Sequence, residues 1–129
     1  MPLSAEDAFE LSKQFRDLSI HLGNYRFAHW DNLTPTQRRD LEDEEWSLLN
    51  SSSDMTTKAV GLALEESEIN AKRIKSSVGK AKRAIKKLEK VGEVIKVATA
   101  TVGLAAAIVA KDPGAIAKNA KLVLEAADA

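Results

Sequence analysis

Residues 97–127 read VATATVGLAAAIVAKDPGAIAKNAKLVLEAA. Fourteen uncharged residues run into Lys111-Asp112-Pro113-Gly114, and a second stretch of small residues follows. Alanine dominates both arms, and it is the strongest helix former. The interruption is a turn: Asp112 can cap a helix whose first residue is Pro113. The stretch therefore predicts a helical hairpin. On the first arm Ala98, Gly103, Ala106, Ala107 and Ala110 let another backbone come close. Ala115, Ala117 and Ala120 offer a matching surface on the second arm, while Ile116, Val123 and Leu124 fill gaps.

Such a hairpin belongs either to a helical core or to a membrane. Fourteen residues make a helix of about 21 Å, and a bilayer core is about 30 Å thick. Extending the run back to Val91 brings in Glu93 and Lys96. Each costs about 2.5–3.5 kcal/mol near the bilayer centre. The second arm carries Lys118, Lys121 and Glu125. The hairpin is therefore expected to pack inside a bundle, with insertion as the alternative.

Upstream of it, Met55, Ala59, Leu62, Ile69, Ile74, Val78, Ala81, Ile85, Leu88, Val91 and Val94/Ile95 keep helical spacing. No proline falls between Pro35 and Pro113. This predicts one long central helix over about 55–92, reaching 110 if it passes Gly92, with Gly61, Gly79 and Gly92 as weak points. Ser4 is expected to cap a first helix, with Glu6 and Asp7 at its positive end. Ala8, Leu11, Phe15, Leu18 and Leu22 form one apolar seam on it. Gly23-Asn24 is read as its end, and residues 25–33 as a connection. Thr34, Pro35 and Gln37 make a capping box for a second helix through Leu41, Trp46, Leu48 and Leu49. A break is expected at Asn50–Asp54, where short polar side chains compete for backbone hydrogen bonds. The fold class is thus all-α: an elongated single-domain bundle of four or five helices over residues 1–129.

Composition narrows function by exclusion. There is no cysteine, so disulfide, thiol and cysteine-metal chemistry are ruled out. The N-terminus has no apolar segment of signal-peptide type. A cytoplasmic location, or secretion without a conventional signal peptide, is expected. His21 and His29 belong to no Glu-x-x-His or His-Glu-x-x-His pattern, and no phosphate-cradling glycine loop or Gly-x-Ser-x-Gly occurs. No enzyme, cofactor or metal site is expected.

Net charge is zero, yet it is strongly split. Residues 40–68 hold nine acids against Lys58, including Asp40, Glu42, Asp43, Glu44 and Glu45. Residues 72–90 hold nine bases, Lys72, Arg73, Lys75, Lys80, Lys82, Arg83, Lys86, Lys87 and Lys90, against Glu89. Antiparallel packing is expected to bring the Asp40–Glu45 cluster near the lysines. The basic stretch has no interleaved aromatics, which disfavours nucleic acid. All six aromatics lie in the first 46 residues. Tyr25, Phe27, Trp30 and Trp46 either plug one end of the bundle or serve as exposed anchors. The expected function is an interaction module that self-associates as a homo-oligomer or binds a protein partner through these charge-split faces. The alternative is a membrane-active, pore-forming type of protein that inserts residues 91–127 behind the basic helix. An inhibitor or immunity-type protein, using the acidic helix and aromatic loop, is a third option.

Overall fold

A helix with an apolar stripe can remove that stripe from water only by covering it with another. The computed structural model describes residues 5–58, 71–87 and 90–128. Among them are five α helices and no strand: α1 Ala5–Ala28, α2 Pro35–Lys58, α3 Ala71–Lys87, α4 Val91–Val109 and α5 Pro113–Asp128. A 3-10 turn at Trp30–Asn32 joins α1 to α2. α1 packs on α2 and α3, α2 also packs on α4, and α5 lies against both α3 and α4. The protein is an all-helical bundle.

Side-chain contacts fix the directions. Ser12 meets Ser52 and Ser19 meets Glu45, so α1 and α2 are antiparallel. Lys75 meets Asp7 and Lys82 meets Asp17, so α1 and α3 run the same way. The core is the predicted seam of α1 (Ala8, Leu11, Phe15, Leu18, Leu22) set against Leu41, Leu48 and Met55 of α2. Ile74, Val78, Ala81 and Ile85 complete it from α3, and Val94, Val97, Leu104 and Ile108 from α4. On α5, Ile116, Ala120 and Val123 are buried.

Two caps are as predicted. The Gln37 N–H donates to Thr34 Oγ1 at 3.1 Å, and the Thr34 N–H donates to Gln37 Oε1 at 2.9 Å. Asp112 Oδ1 accepts from the N–H of Ala115, the third residue of α5, at 3.2 Å. Between α4 and α5, Lys111 takes a left-handed φ of 57°. The Asp112 N–H reaches back to the Ala107 carbonyl and the Lys111 N–H to that of Ile108. This is the double bond of a Schellman ending.

Three expectations are corrected. α1 does not stop at Gly23-Asn24 but continues to Ala28. Gly23 serves a close approach instead: a Cβ there would lie 2.9 Å from Glu45 Oε1. α2 does not break at Asn50–Asp54 but runs unbroken to Lys58. Ser52 is buried, and its hydroxyl donates to the Ser12 carbonyl on α1, so it does not compete with its own helix. The long central helix is interrupted. α3 ends at Lys87, and Lys90 is extended at φ −85°, ψ 122° before α4 begins. Ser4, residues 59–70 (with Ala59, Gly61, Leu62, Glu65, Glu66, Glu68 and Ile69) and Leu88 lie outside the described residues.

Core position and surface position should separate cleanly in thermal melts. Phe15→Ala is expected to cost about 3–5 kcal/mol, whereas Ile20→Ala, on the outer side of the same helix, should stay within about 0.5 kcal/mol. Gly103→Leu should also destabilise, because a Cβ at Gly103 would stand 2.6 Å from Asn119 Oδ1 and displace a side chain whose amide nitrogen donates to the Ala115 carbonyl at 2.7 Å. Lys111→Gly should raise stability by roughly 0.5–1 kcal/mol by relieving the left-handed backbone.

Candidate interaction surface

The basic helix α3 has two unlike flanks. Toward α1, Lys75 Nζ lies 2.8 Å from Asp7 and also pairs with Glu10, and Lys82 Nζ lies 3.4 Å from Asp17. The hydrogen bonds that the Lys75 ammonium donates to Asp7 and Glu10 hold its pKa above the ordinary value. The partners are therefore acids of α1. The Asp40–Glu45 cluster does not lie near the lysines as expected, because α2 sits across the bundle, between α1 and α4. Away from α1, Arg73 and Lys80 face α5 across an open trough. Arg83 and Lys87 continue the same rim. Lys72, Lys86 and Lys90 are exposed.

The acidic cluster is divided by the same geometry. Glu45 turns inward, where Arg26 grips it with Nε 2.6 Å from Oε2 and Nη2 3.2 Å from Oε1. A two-point fork of this kind is stronger than a single exposed pair. The hydrogen bond to Glu45 holds the Arg26 guanidinium above its ordinary value. Glu44 turns toward α4 and accepts from the Thr99 hydroxyl at 3.1 Å. Burial pushes its carboxyl up, the Thr99 bond opposes this, and the charges of Asp40 and Asp43 add to the rise. Asp40, Glu42 and Asp43 stay exposed.

The four aromatic candidates do not act alike. Tyr25 is in the core and is removed as a surface anchor; burial raises its phenol above the usual value. Its ring stacks on His29 with centroids 4.1 Å apart. Phe27 is 68% exposed and Trp46 57%. Trp30 is 41% exposed and is layered between neighbours: Phe27 stacks on it at 6.2 Å, and the Arg38 guanidinium lies 4.3 Å from its ring centre. Arg26 covers Phe27 at 4.7 Å. The rings at this end are held in place by cations while remaining open to solvent.

Several surface residues were not singled out by sequence reasoning. Phe9 and Ile20 are more than half exposed, and Leu49, read as part of the second helix's apolar run, is 38% exposed. Phe9, Ile20 and Phe27 are spaced eleven and seven residues apart, which places them within about 20° of one line on α1. That line is opposite the seam, so the signal was available as an off-seam apolar set. Lys121 is the other addition, since it shares the α3–α5 trough with Lys80. No sequence signal pairs α3 with α5.

α4 as a helix is longer than its uncharged run. Val91–Val109 is 19 residues with a mean hydropathy of 1.6, long and apolar enough by length and composition to cross a membrane. In the bundle its Val94, Val97, Ala98, Leu104, Ala105 and Ile108 are buried. No family model, curated protein or solved structure matches the chain.

His21 gives the surface a pH dependence. Partial burial lowers its pKa, the nearby charges of Lys86 and Lys82 lower it further, and Asp17 opposes them. The unfolded chain therefore binds more protons than the folded one just below the ordinary histidine value of about 6.5. Stability present above that value should decline as pH falls through it. In melts between about pH 7 and pH 5.5, His21→Asn should lose less Tm than the wild type.

Proposed function

We propose that the protein is a non-enzymatic interaction module whose working parts are the outer faces of its helices. The observation that carries this reading is the set of large apolar side chains standing in solvent on α1 and α2: Phe9, Ile20, Phe27 and Trp46. Aligned exposed apolar groups rimmed by charge are typical of surfaces that meet another protein. The charge split supports the same reading. Net charge is zero, but α2 exposes Asp40, Glu42 and Asp43 while α3 exposes Lys72, Arg73, Lys80, Arg83, Lys86 and Lys87. Such a distribution selects partners and register more than it adds affinity. Both histidines are engaged by local structure, His29 with Tyr25 and His21 beside Lys82 and Lys86.

A second reading, membrane activity, is favoured by one observation, the length and hydropathy of α4. On that reading the α4–α5 hairpin leaves the bundle and α3 leads it to an anionic surface. Dye release from anionic vesicles at low salt tests it. No release at neutral or acid pH removes it.

The main reading makes a direct prediction. Light scattering and affinity capture with the full chain should show self-association or a bound protein. Ile20→Ser with Phe27→Ser and Trp46→Ala should abolish that binding while stability moves by no more than about 0.5 kcal/mol per site. A wild type that remains monomeric at high concentration and captures no protein overturns the proposal.

A further inference from the structure

α3 and α5 run side by side in the same direction, and the trough between them is open. Its first part encloses about 530 Å³. The α5 side of its floor is apolar, with Ala117, Ala120 and Leu124, Ser76 and Ser77 line the α3 side, and the exposed Lys80 and Lys121 stand on its rims. The rim continues through Arg83 and Lys87, and Asp128 lies at the far end. Among the described residues, Lys80, Arg83, Lys87 and Lys121 pair with no carboxylate, in contrast to Lys75 and Lys82 on the other flank of α3. Small side chains on the floor leave depth for a large ring, and the cations on the rim favour an acid beside it.

α2 carries the complement. Asp43, Trp46 and Asn50 are exposed and spaced three and four residues apart, so they form one ridge. Glu42 is exposed one turn before Trp46, and Asp40 one turn before Asp43; Arg39 is the opposing charge. In the packing order α2 touches α1 and α4, whereas the trough lies where α3 meets α5. Ridge and trough therefore face opposite ways on one bundle, and a single chain cannot bring them together. A two-fold contact of trough on trough would set lysine against lysine.

We propose that the α2 ridge of one copy docks in the α3–α5 trough of the next. Trp46 lies over the alanine floor, and Asp43 and its neighbouring acids lie among Lys80 and Lys121. This rests on the interaction reading above and gives it a partner, a second copy, and a polarity. The contact is head-to-tail, so each copy keeps one unused ridge or trough, and assembly continues until a ring closes. Charge supplies encounter and register, and salt weakens it.

Two variants of the full chain test the polarity. Asp43→Asn with Trp46→Ala disables the ridge, and Lys80→Glu with Lys121→Glu disables the trough. Light scattering over a concentration series should show the wild-type mass rising at low salt and returning to monomer at about 0.5 M salt. Each variant should remain monomeric with an unchanged helical spectrum and melt. Mixed in equal amounts they should form a 1:1 dimer and nothing larger, because one competent ridge and one competent trough remain per pair. If either double change unfolds the chain, Asp43→Asn and Lys121→Glu alone should each lower the association constant at least several-fold. A mixture that stays monomeric, or a wild-type dimer untouched by both variants, overturns the inference. If Ile20→Ser with Phe27→Ser abolishes association while the ridge and trough variants leave it intact, the inference falls and the interaction reading stands. A wild type that is monomeric and binds phosphatidylglycerol vesicles through Lys80 and Lys121 overturns it in favour of a lipid surface.

Discussion

The close approach of α1 to α2 is the constraint on which the remaining geometry depends. Ser12 and Ser52 exchange hydrogen bonds across it, with the Ser12 hydroxyl 2.9 Å from the Ser52 carbonyl and the Ser52 hydroxyl 2.8 Å from that of Ser12. Ser19 adds a bond to the Glu45 carbonyl at 2.9 Å. Farther along, Gly23 leaves room for the Glu45 carboxylate, which Arg26 then holds. Ser12, Ser19 and Gly23 keep the two backbones near each other at three places, and the serine hydroxyls there find acceptors on α2. With that rotation of α2 set, Leu41, Leu48 and Met55 point inward. Glu44 must then turn toward α4 and Asp43 and Trp46 toward solvent.

Packing also decides what the charges do. The basic stretch reads as one block, but α1 meets it along only one flank and supplies Asp7, Glu10 and Asp17 there. Individual pairs of this exposure are worth about 0–1 kcal/mol, so they help to choose the register of α3 more than they hold it. Their other consequence is local. A chain of zero net charge acquires one neutralised flank and one cationic flank, with the exposed acids of α2 on the far side. Charge separated in this way persists over distances near the Debye length, about 8–10 Å in physiological salt.

α4 has a length and composition that fit a membrane span, and in the bundle it serves as a core helix. Its 19 residues meet the length and hydropathy of a membrane span, and its inward stripe is also what a bundle requires. Its hydroxyls illustrate the point. Thr101 is fully buried and donates to the Val97 carbonyl of its own helix at 2.8 Å, a bond that lipid would equally preserve. Thr99 instead reaches across to Glu44 of α2, a bond that exists only in the bundle.

Local pattern was enough for the helical class and for several of the element starts. The seam of α1, the Thr34–Gln37 box, the Asp112-Pro113 start of α5 and the all-helical class were legible because each depends on residues within a few positions of one another. Two of the corrections, at Gly23 and Ser52, come where a distant partner intervenes. Gly23 looks like a helix end until Glu45 occupies the space beside it, and Ser52 looks like a breaker until Ser12 takes up its hydroxyl. The approach of α3 to α5, which makes the trough, and the placing of α2 across from it are contacts between segments far apart in the chain. Periodicity says which side of a helix is apolar, but it carries no information on which other helix will cover it. That choice is made only when all the stripes are buried together.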